Sequence, residues 1–555
     1  MRLILARLAN IPRYWRTVRY LRWKQIVYRL YYAWRVPKAK HIKGPIGIRA
    51  LSPAFPAWQE PGWKNARTVR FLNLEKRLPD QRKWEVAESL LWKYHLHYFD
   101  DLAAKGAAAH RALHSSLISE WIDAVTDQTS PAWDPYPTSL RVVNWTKFFL
   151  RNRDQYQNDP RALHCLAVQA ESISKRLEYH LLGNHLLANA KALVFAGTVL
   201  ESRRSRAWLR RGLEVLDQQL PEQFLEDGAH YERSPMYHNL VVWDLFDLIR
   251  IGSSGGIGEI DQRLPSWRAL ATRALEWSQM VSHPDGEIAF FNDAALGGSP
   301  SVPDLIAYAK ELGLVTQYDQ DQPSREEVVV RRSVSGYTVV EGPSYKAILD
   351  TAPVGPDFLP GHAHADTLSF EFSVSEHRIL VNGGASTYAA GRRRDWERST
   401  EAHNTVEVAG LNSSETWGAF RVGARAYPVD YQCREIPGKG WEVVCGHSGY
   451  LHRGVNTLHR RRWSFFERGF QIQDELEGEC TEGAAFFYLH PDCTLEGHPP
   501  DSLRIRVGRE AMNVEVTNGR LSLVHVQWAE AFGRLRETTG IKVIFQNRLS
   551  IEFSI

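Results

Sequence analysis

Apolar residues recur every three to four positions through much of the first 325 residues, a spacing that matches one face of an α-helix. Short breaks that contain Pro or Gly separate these segments, as at Asp134–Pro137 and His283–Gly286. The pattern predicts a succession of helices between about residues 85 and 325. The clearest predicted helices are Leu163–Leu177, Leu187–Val199, Ser205–Gln218, Asn239–Ile251 and Trp267–Val281.

The pattern changes near residue 326, where short runs rich in Val, Ile, Tyr and Phe replace the helical spacing. Several runs alternate apolar and polar residues, which is typical of β-strands. Because helices come first and strands follow, the order predicts separate α and β domains. The predicted strands are Val328–Val330, Tyr337–Val340, Tyr345–Leu349, Leu368–Phe372, Thr405–Val408, Phe465–Ile472, Ala484–Leu489, Leu503–Val507 and Leu549–Ile555.

The N-terminal segment differs from both regions. Residues 1–35 interleave Arg and Lys with Tyr and Trp, and the first acidic residue of the chain is Glu60. Prolines interrupt residues 36–65 and predict an irregular linker. We therefore predict three units: a basic arm and linker (1–65), a helical domain (66–325) and a β domain (326–555). The arm suits an anionic membrane surface or an acidic polymer, and the alternative is a helical arm packed on the main body.

Composition restricts the function further. The net charge of +4 is too small to indicate a nucleic-acid partner. Five cysteines without a Cys-x-x-Cys pair argue against a disulfide framework and a cysteine zinc site. No apolar run is long enough for a spanning helix, and Arg2 and Arg7 interrupt any secretory signal. We predict a cytoplasmic protein with peripheral contact to the inner membrane, and the sequence leaves its oligomeric state open.

Two histidines and an aspartate alternate in the segment Gly361–Asp366, just before an apolar run. In an extended backbone this alternation places His362, His364 and Asp366 on one side. Three titratable groups on one side indicate proton transfer, metal binding or both. A second pair, His403-Asn404, strengthens this interpretation. The alternative is a turn whose histidines only hydrogen-bond locally.

Two polar patches occur in the first part of the helical region. Arg141 and Asn144 share one face of a predicted helix, where an arginine fork suits a carboxylate, or serves as a surface or capping residue. Asn184 and His185 precede an apolar helix. Asn184 suits an N-cap, and a helix start also receives an anionic group well.

A third polar patch, residues 227–238, separates two predicted helices and contains Tyr231, Glu232 and Tyr237. Either tyrosine would act as a proton donor if its environment lowered its pKa from about 10. The alternative is a polar loop whose aromatic residues only pack.

Together these motifs resemble the heparinase II/III family of polysaccharide lyases. The resemblance extends over about residues 85–430 and rests on Asn184-His185, on Glu-x-Ser-Pro-x-Tyr-His ending at His238, on His-x-His-x-Asp at 362–366, and on Ala402–Val406. It implies an incomplete α/α toroid followed by an antiparallel β-sandwich. It also implies β-elimination of an acidic, uronate-containing polysaccharide, here in a setting of exopolysaccharide metabolism.

The resemblance also implies residue roles. Asn184 binds the uronate carboxylate and His362 is the complementary base. Tyr237 protonates the leaving oxygen, and it also abstracts the proton when that proton lies on the same side. Tyr237 fits the family tyrosine better than Tyr231 does, because it stands in the Ser-Pro-Met-Tyr-His segment. The remaining polar residues of these motifs are expected to bind substrate: Arg141, His185, Tyr231 and Glu232.

A metal is a further implication of the resemblance. His364 and His403 resemble the metal-binding histidines of the family, with zinc the ion expected. Metal-binding relatives carry an aspartate where this chain has Asn382. An asparagine offers only a neutral carbonyl oxygen, a poorer zinc ligand than a carboxylate. We therefore expect zinc to be held weakly or sub-stoichiometrically.

Two other functions compete with the lyase. Helical toroids also host glycoside hydrolases, which use paired carboxylates. The acidic residues available for that role are Asp227, Glu232, Asp285, Glu287 and Asp293. The second rival is a non-catalytic protein that binds exopolysaccharide during its production.

Overall fold

The computed structural model describes residues 11–318, 327–497 and 503–555. It confirms the predicted order, a helix-rich domain followed by a domain of antiparallel sheets. All five of the clearest predicted helices are present, each shifted or extended by a few residues. The helices of this domain are Leu90–Tyr98, Arg111–Ala124, Pro135–Arg151, Arg153–Tyr156, Pro160–Lys175, Gly183–Val199, Ser205–Gln223, Pro235–Gly255, Gly258–Asp261, Leu264–Met280 and Val302–Glu311.

Local sequence signals explain where several helices begin. The Asp159 side chain accepts from the Ala162 N–H and Ser234 Oγ accepts from the Tyr237 N–H, each just before a proline at the first helical position. The apolar faces meet in one core that buries Trp145 and Leu193 completely. The helices are therefore fixed both by their caps and by the burial of their apolar stripes.

The β domain is a sandwich of two antiparallel sheets around a second core. The smaller sheet has the strand order His377–Leu380, Phe370–Val374, Tyr345–Asp350, Tyr337–Glu341, Val329–Arg332. The larger sheet has the order Pro428–Ile436, Gly440–His447, Thr457–Phe466, Gly469–Gly478, Arg534–Ser554, Glu510–Ala531, Leu503–Val507, Thr494–Glu496, with Glu482–Tyr488 joining Val406–Val408 to Arg534–Ser554. A helix, Arg392–Glu397, and a hairpin, Thr416–Trp417 with Arg421–Val422, lie outside both sheets.

One predicted strand is wrong. The run Phe465–Ile472 contains a tight hairpin turn, so its two halves belong to neighbouring strands. Gly469 permits the turn because its φ is +135° and a Cβ there would meet the Phe553 carbonyl oxygen at 2.1 Å. The composition correctly predicts strands on both sides of the turn. The turn itself is not evident in the sequence because it contains no proline.

The predicted linker and the start of the helical domain also contain β-structure. Trp63–Asn65, Thr68–Phe71 and Leu74–Arg77 form a three-stranded sheet, and Gly47–Ile48 pairs with Leu200–Glu201. Leu72 and Asn73 both have positive φ, which is typical of a two-residue hairpin turn. The predicted boundary between residues 325 and 326 lies outside the described residues.

The arm forms two helices, Ile11–Val18 and Trp23–Trp34, that contact both domains. Arg16 Nε donates to Glu415 of the β domain at 2.8 Å, and the Tyr32 hydroxyl donates to the Leu177 carbonyl of the helical domain at 3.0 Å. Burial alone would raise the pKa of Glu415, but hydrogen bonds from Arg16, the Ala424 amide and Arg13 lower it to about 2. No helix in the described part of the chain has the length and apolarity to cross a membrane.

Candidate active site

Loops from the two domains meet at Asp293, which lies in the connection between helices Leu264–Met280 and Val302–Glu311. Its carboxylate accepts from His362 Nδ1 and His364 Nε2, each at 2.9 Å. Arg394 donates to both carboxylate oxygens, with its Nη2 2.8 Å from Oδ2. Asp293 therefore joins the helical domain to three side chains of the β domain, and it is fully buried.

The charge of Asp293 is well compensated. Burial by itself would raise the pKa of this carboxyl, but Arg394 and the two histidine hydrogen bonds hold it well below its ordinary value. An ionised carboxylate at His362 Nδ1 stabilises the tautomer with its proton on that nitrogen. The Nε2 atom of His362 is then left with a lone pair, as a base requires.

Tyr237 and His362 stack face to face, with ring centroids 3.8 Å apart and an interplanar angle of 28°. Tyr237 lies in the first turn of helix Pro235–Gly255, so the Ser-Pro segment that caps this helix also aims its phenol. The Tyr237 hydroxyl is 2.9 Å from the hydroxyl of Tyr388 in the β domain. A phenol and an imidazole from different domains thus share one crevice.

The electrostatics of Tyr237 differ from the expectation. The sequence analysis expects a lowered pKa in a tyrosine that donates a proton. In the structure, burial raises the pKa of Tyr237 well above its ordinary value, and Tyr388 and Asp293 raise it further. The expectation fails because the phenol is enclosed between the two domains, where the phenolate would be poorly solvated. Tyr237 is therefore fully protonated at neutral pH, the form that donates a proton.

Asn184 lies at the start of helix Gly183–Val199, but it is not the N-cap that the sequence suggested, because Leu182 takes that position. Gly183 has a φ of +58°, and a Cβ there would meet both a Glu232 oxygen and Leu359 at 2.7 Å. Glycine therefore lets the helix start approach the residues beside His362. Burial raises the pKa of Tyr136, and the nearby Asn184 side chain offsets this rise in part.

Glu232 and His185 complete the polar lining near Asn184. Glu232 is buried, and its Oε2 is 3.8 Å from His362 Nε2. Burial raises the pKa of Glu232, although His362 and His185 lower it in part. His185 Nδ1 is 3.2 Å from Glu178, and its ring lies 4.4 Å from that of Tyr136. The two predicted substrate-binding residues are thus close to the predicted catalytic ones.

The structure corrects the assignment of Arg141 to substrate binding. Its guanidinium is fully buried, stacks on Trp121 at 4.1 Å, and donates to Gln169 Oε1 at 2.7 Å. Further bonds to the carbonyls of His97 and Ala132, each 3.0 Å long, use its Nη1. Arg141 therefore holds the helical core together and has no donor directed at the cleft.

Tyr231 also lies apart from the stacked pair. Its ring packs 6.0 Å from that of Phe358, and burial raises the pKa of its phenol well above the ordinary value. Tyr231 is only 4% exposed. The expectation that Tyr231 binds substrate stays a prediction.

The predicted metal ligands are only partly assembled. His364 Nδ1 and His403 Nε2 face each other at 3.1 Å, while Asp293 and the Ser399 carbonyl engage their other nitrogens. Such outer contacts typically orient metal-binding imidazoles. Asn382, however, accepts the Asn404 N–H on Oδ1 at 2.9 Å and donates to Ser369. Within the described ranges, no three His, Cys, Asp or Glu residues are placed to hold a metal, so the zinc site lacks a third ligand.

We expect the purified chain to contain less than one zinc per molecule, and a chelator to remove that zinc during dialysis. Two imidazoles without a carboxylate bind zinc weakly, because structural and catalytic zinc sites use three or four protein ligands. Elemental analysis measures the zinc content. The Asn382→Asp variant, which restores a carboxylate, is expected to retain more zinc than the wild type. One tightly retained zinc per wild-type chain would contradict this prediction.

The sequence analysis did not assign three residues to this site. Asp293 was considered only as a carboxylate for a hydrolase, and neither Tyr388 nor Arg394 was considered. Arg394 follows two other arginines, and such a run is typical of a solvated surface. Only the contact between domains shows that it is completely buried. No local pattern distinguishes it from its neighbours.

Comparison with known proteins agrees with this geometry. The family model described as Heparinase II/III N-terminus matches residues 92–311, and the one described as Heparinase II/III-like, C-terminal, matches residues 329–554. A heparin-sulfate lyase of Bacteroides stercoris is 22% identical over 405 residues, covering 70% of this chain and 56% of that protein. One of Pedobacter heparinus is 24% identical over 365 residues, covering 59% and 53%. The chain thus spans about half the length of these curated relatives.

Solved structures show the same fold. A crystal structure of heparinase III has a TM-score of 0.67 at 17% identity, covering 85% of this chain and 79% of that one. A heparan sulfate lyase from Pedobacter heparinus has a TM-score of 0.56 at 15% identity, covering 96% and 87%. Since the two family models together match most of the chain, in the order in which its two domains occur, the chain belongs to the heparinase II/III family.

Proposed function

We propose that this protein is a polysaccharide lyase that cleaves an acidic, uronate-containing glycan by β-elimination. The stacking of Tyr237 on His362 carries the proposal. Elimination needs a base at C5 and an acid at the O4 of the same sugar, and the two side chains provide both within one crevice. Heparin-sulfate lyases among its relatives support an acidic glycan such as heparan sulfate as the substrate class.

The first chemical requirement is a neutralised uronate carboxylate. The C5–H of a uronate is only weakly acidic, so negative charge that builds up beside the carboxylate must be stabilised in the transition state. Asn184 lies in the first turn of a helix, where the amide side chain and the backbone N–H groups favour an anion. His185 follows it and adds a second donor beside the same helix start.

The second requirement is a concerted movement of protons. Nε2 of His362 takes the C5 proton, the electron pair of that bond forms the C4–C5 double bond, and the C4–O4 bond breaks. Tyr237 gives its phenolic proton to O4, so the fragment on the non-reducing side leaves with a new reducing end, and the fragment on the reducing side keeps the unsaturated uronate. The Tyr388 hydroxyl, 2.9 Å from that of Tyr237, provides a route by which the phenol regains its proton.

The carboxylates available to a glycoside hydrolase are largely committed elsewhere. Arg394 holds Asp293 and Arg378 holds Asp285, the latter with Nε 2.7 Å from Oδ2. Asp227 accepts from the Ser335 N–H at 2.8 Å. Glu232 alone of this set lies beside the stacked pair without a cationic arginine. Paired acid and base carboxylates, which hydrolysis needs, are therefore not offered by these residues.

A panel of uronate-containing polymers, including heparan sulfate, tests the proposal. Elimination leaves a conjugated double bond, so we expect ultraviolet absorbance to rise with at least one polymer. The His362→Ala variant is expected to lose about 10²- to 10⁴-fold in rate, because the proposed base is removed from a side chain that is 13% exposed. New reducing ends without absorbance would indicate a hydrolase, and affinity without turnover would indicate a binding protein.

We also propose that the protein acts in exopolysaccharide metabolism, on the inner side of a cell membrane. The basic arm supports this setting, because no Asp or Glu occurs before Glu60 and anionic lipids attract such segments.

A further inference from the structure

Large apolar side chains that remain exposed are concentrated in the arm. Ten of the seventeen such side chains among the described residues lie between Ile11 and Val36. Trp34 is 80% exposed, Trp23 76% and Leu30 68%. Contiguous apolar exposure of this kind marks an interaction surface, whereas single exposed residues elsewhere need no explanation.

The exposed residues form one stripe on each arm helix. In the second helix they are spaced by four, three and four positions, and in the first by four and three, so each set lies on one side of its helix. The members are Ile11, Trp15 and Val18 in the first helix, and Trp23, Val27, Leu30 and Trp34 in the second.

The opposite side of each helix is attached to the protein body. In the first helix, Arg16 pairs with Glu415, and Thr17 Oγ1 accepts from the Trp417 indole at 3.1 Å. In the second, Gln25 donates to the Phe358 carbonyl at 3.1 Å and the Tyr32 hydroxyl donates to the Leu177 carbonyl. These contacts fix the rotation of both helices, and they turn the apolar stripes away from the body.

Positive charge accompanies the stripes. Lys24 and Arg29 belong to the second helix and Arg35 follows it, while Arg19 lies between the two helices. No acidic residue offsets them within the arm. A helix with Trp and Leu on one side, Lys and Arg around it, and no acid is typical of segments that lie in the interface of an anionic bilayer.

We infer that the outward stripes of the two arm helices dock on an anionic lipid bilayer. The aliphatic members of the stripes favour lipid over an acidic polysaccharide. Sugars stack on aromatic rings but gain little from Val, Ile or Leu. The inference rests on the membrane setting proposed above, whereas the elimination chemistry does not depend on it.

Co-sedimentation of the full chain with vesicles tests the inference. We expect binding to vesicles that contain phosphatidylglycerol, weaker binding in high salt, and little binding to pure phosphatidylcholine. The Trp23→Glu/Leu30→Glu variant is expected to bind the anionic vesicles at least tenfold more weakly. A matched control, Val315→Glu/Val334→Glu, changes two side chains that are 72% and 66% exposed outside the arm, and it should bind as the wild type does.

Several outcomes would overturn the inference. The first is no binding to anionic vesicles, and the second is equal binding by the wild type and the arm variant. The third is an arm variant that loses binding to soluble heparan sulfate, or loses self-association, instead of vesicle binding. Lyase activity on soluble polymer is measured in parallel and should be equal in all three proteins, since neither pair lies at the cleft. Absence of turnover in that assay would count against the proposed function, but it would not affect the conclusion from the vesicle experiment.

Discussion

We expect the Tyr237→Phe variant to lose about 10²- to 10⁴-fold in kcat while its fold survives, the range that a positioned proton donor contributes. The substitution removes only the phenolic oxygen, so the ring still stacks on His362. The structural cost is the loss of one hydrogen bond to Tyr388, which is worth about 1 kcal/mol. Initial rates read by ultraviolet absorbance, together with circular dichroism, measure the two effects separately.

Tyr156→Phe is the matched control, since it also removes a largely buried tyrosine hydroxyl from the helical domain, one that bonds Ser115 at 3.1 Å. It should cost a similar amount of stability and leave kcat unchanged. If Tyr237→Phe kept nearly the full rate and Tyr231→Phe lost it, the tyrosine assignment would be wrong. The stacking of Tyr237 on His362 predicts the opposite result.

The Asp293→Asn variant is expected to be destabilised by about 3–5 kcal/mol, the cost of removing one partner from a buried ion pair. Arg394 would then be left in the interior without a counter-charge. The amide would also fail to accept from both histidines and Arg394 at once, so His362 loses the partner that holds its proton on Nδ1. We therefore expect kcat to fall as well, with KM little changed. Denaturant midpoints and steady-state kinetics measure the two losses.

A double variant separates stability from positioning. In Asp293→Asn/Arg394→Met the uncompensated charge is gone, and replacing both partners of a buried pair is often close to neutral. Stability should return toward that of the wild type, whereas kcat should stay low because His362 still lacks a carboxylate. Recovery of both properties together would show that Asp293 matters to the fold alone.

The site was predictable from the sequence where its residues belong to short motifs. His362 was identified from its neighbours in an alternating histidine segment, whereas Tyr237 was preferred to Tyr231 because its segment resembles that of the family. Arg141 was misassigned for the same reason: its place on a helix is visible in the sequence, but the side to which its guanidinium points depends on helices packed around it. Its bond to Gln169 and its stacking on Trp121 are contacts between segments far apart in the chain.

The sequence by itself determined the succession of helices and strands and the basic arm without acidic residues, and its resemblance to the family pointed to Tyr237 and His362. Helix and strand periods, caps and turns are local properties, so a one-dimensional pattern contains them. Only the tertiary structure decided that Asp293 pairs with Arg394, that Tyr388 meets Tyr237, and that the arm turns its apolar stripes outward. These outcomes depend on burial of charge and on surfaces brought together from distant segments, and burial is a property of the packed molecule.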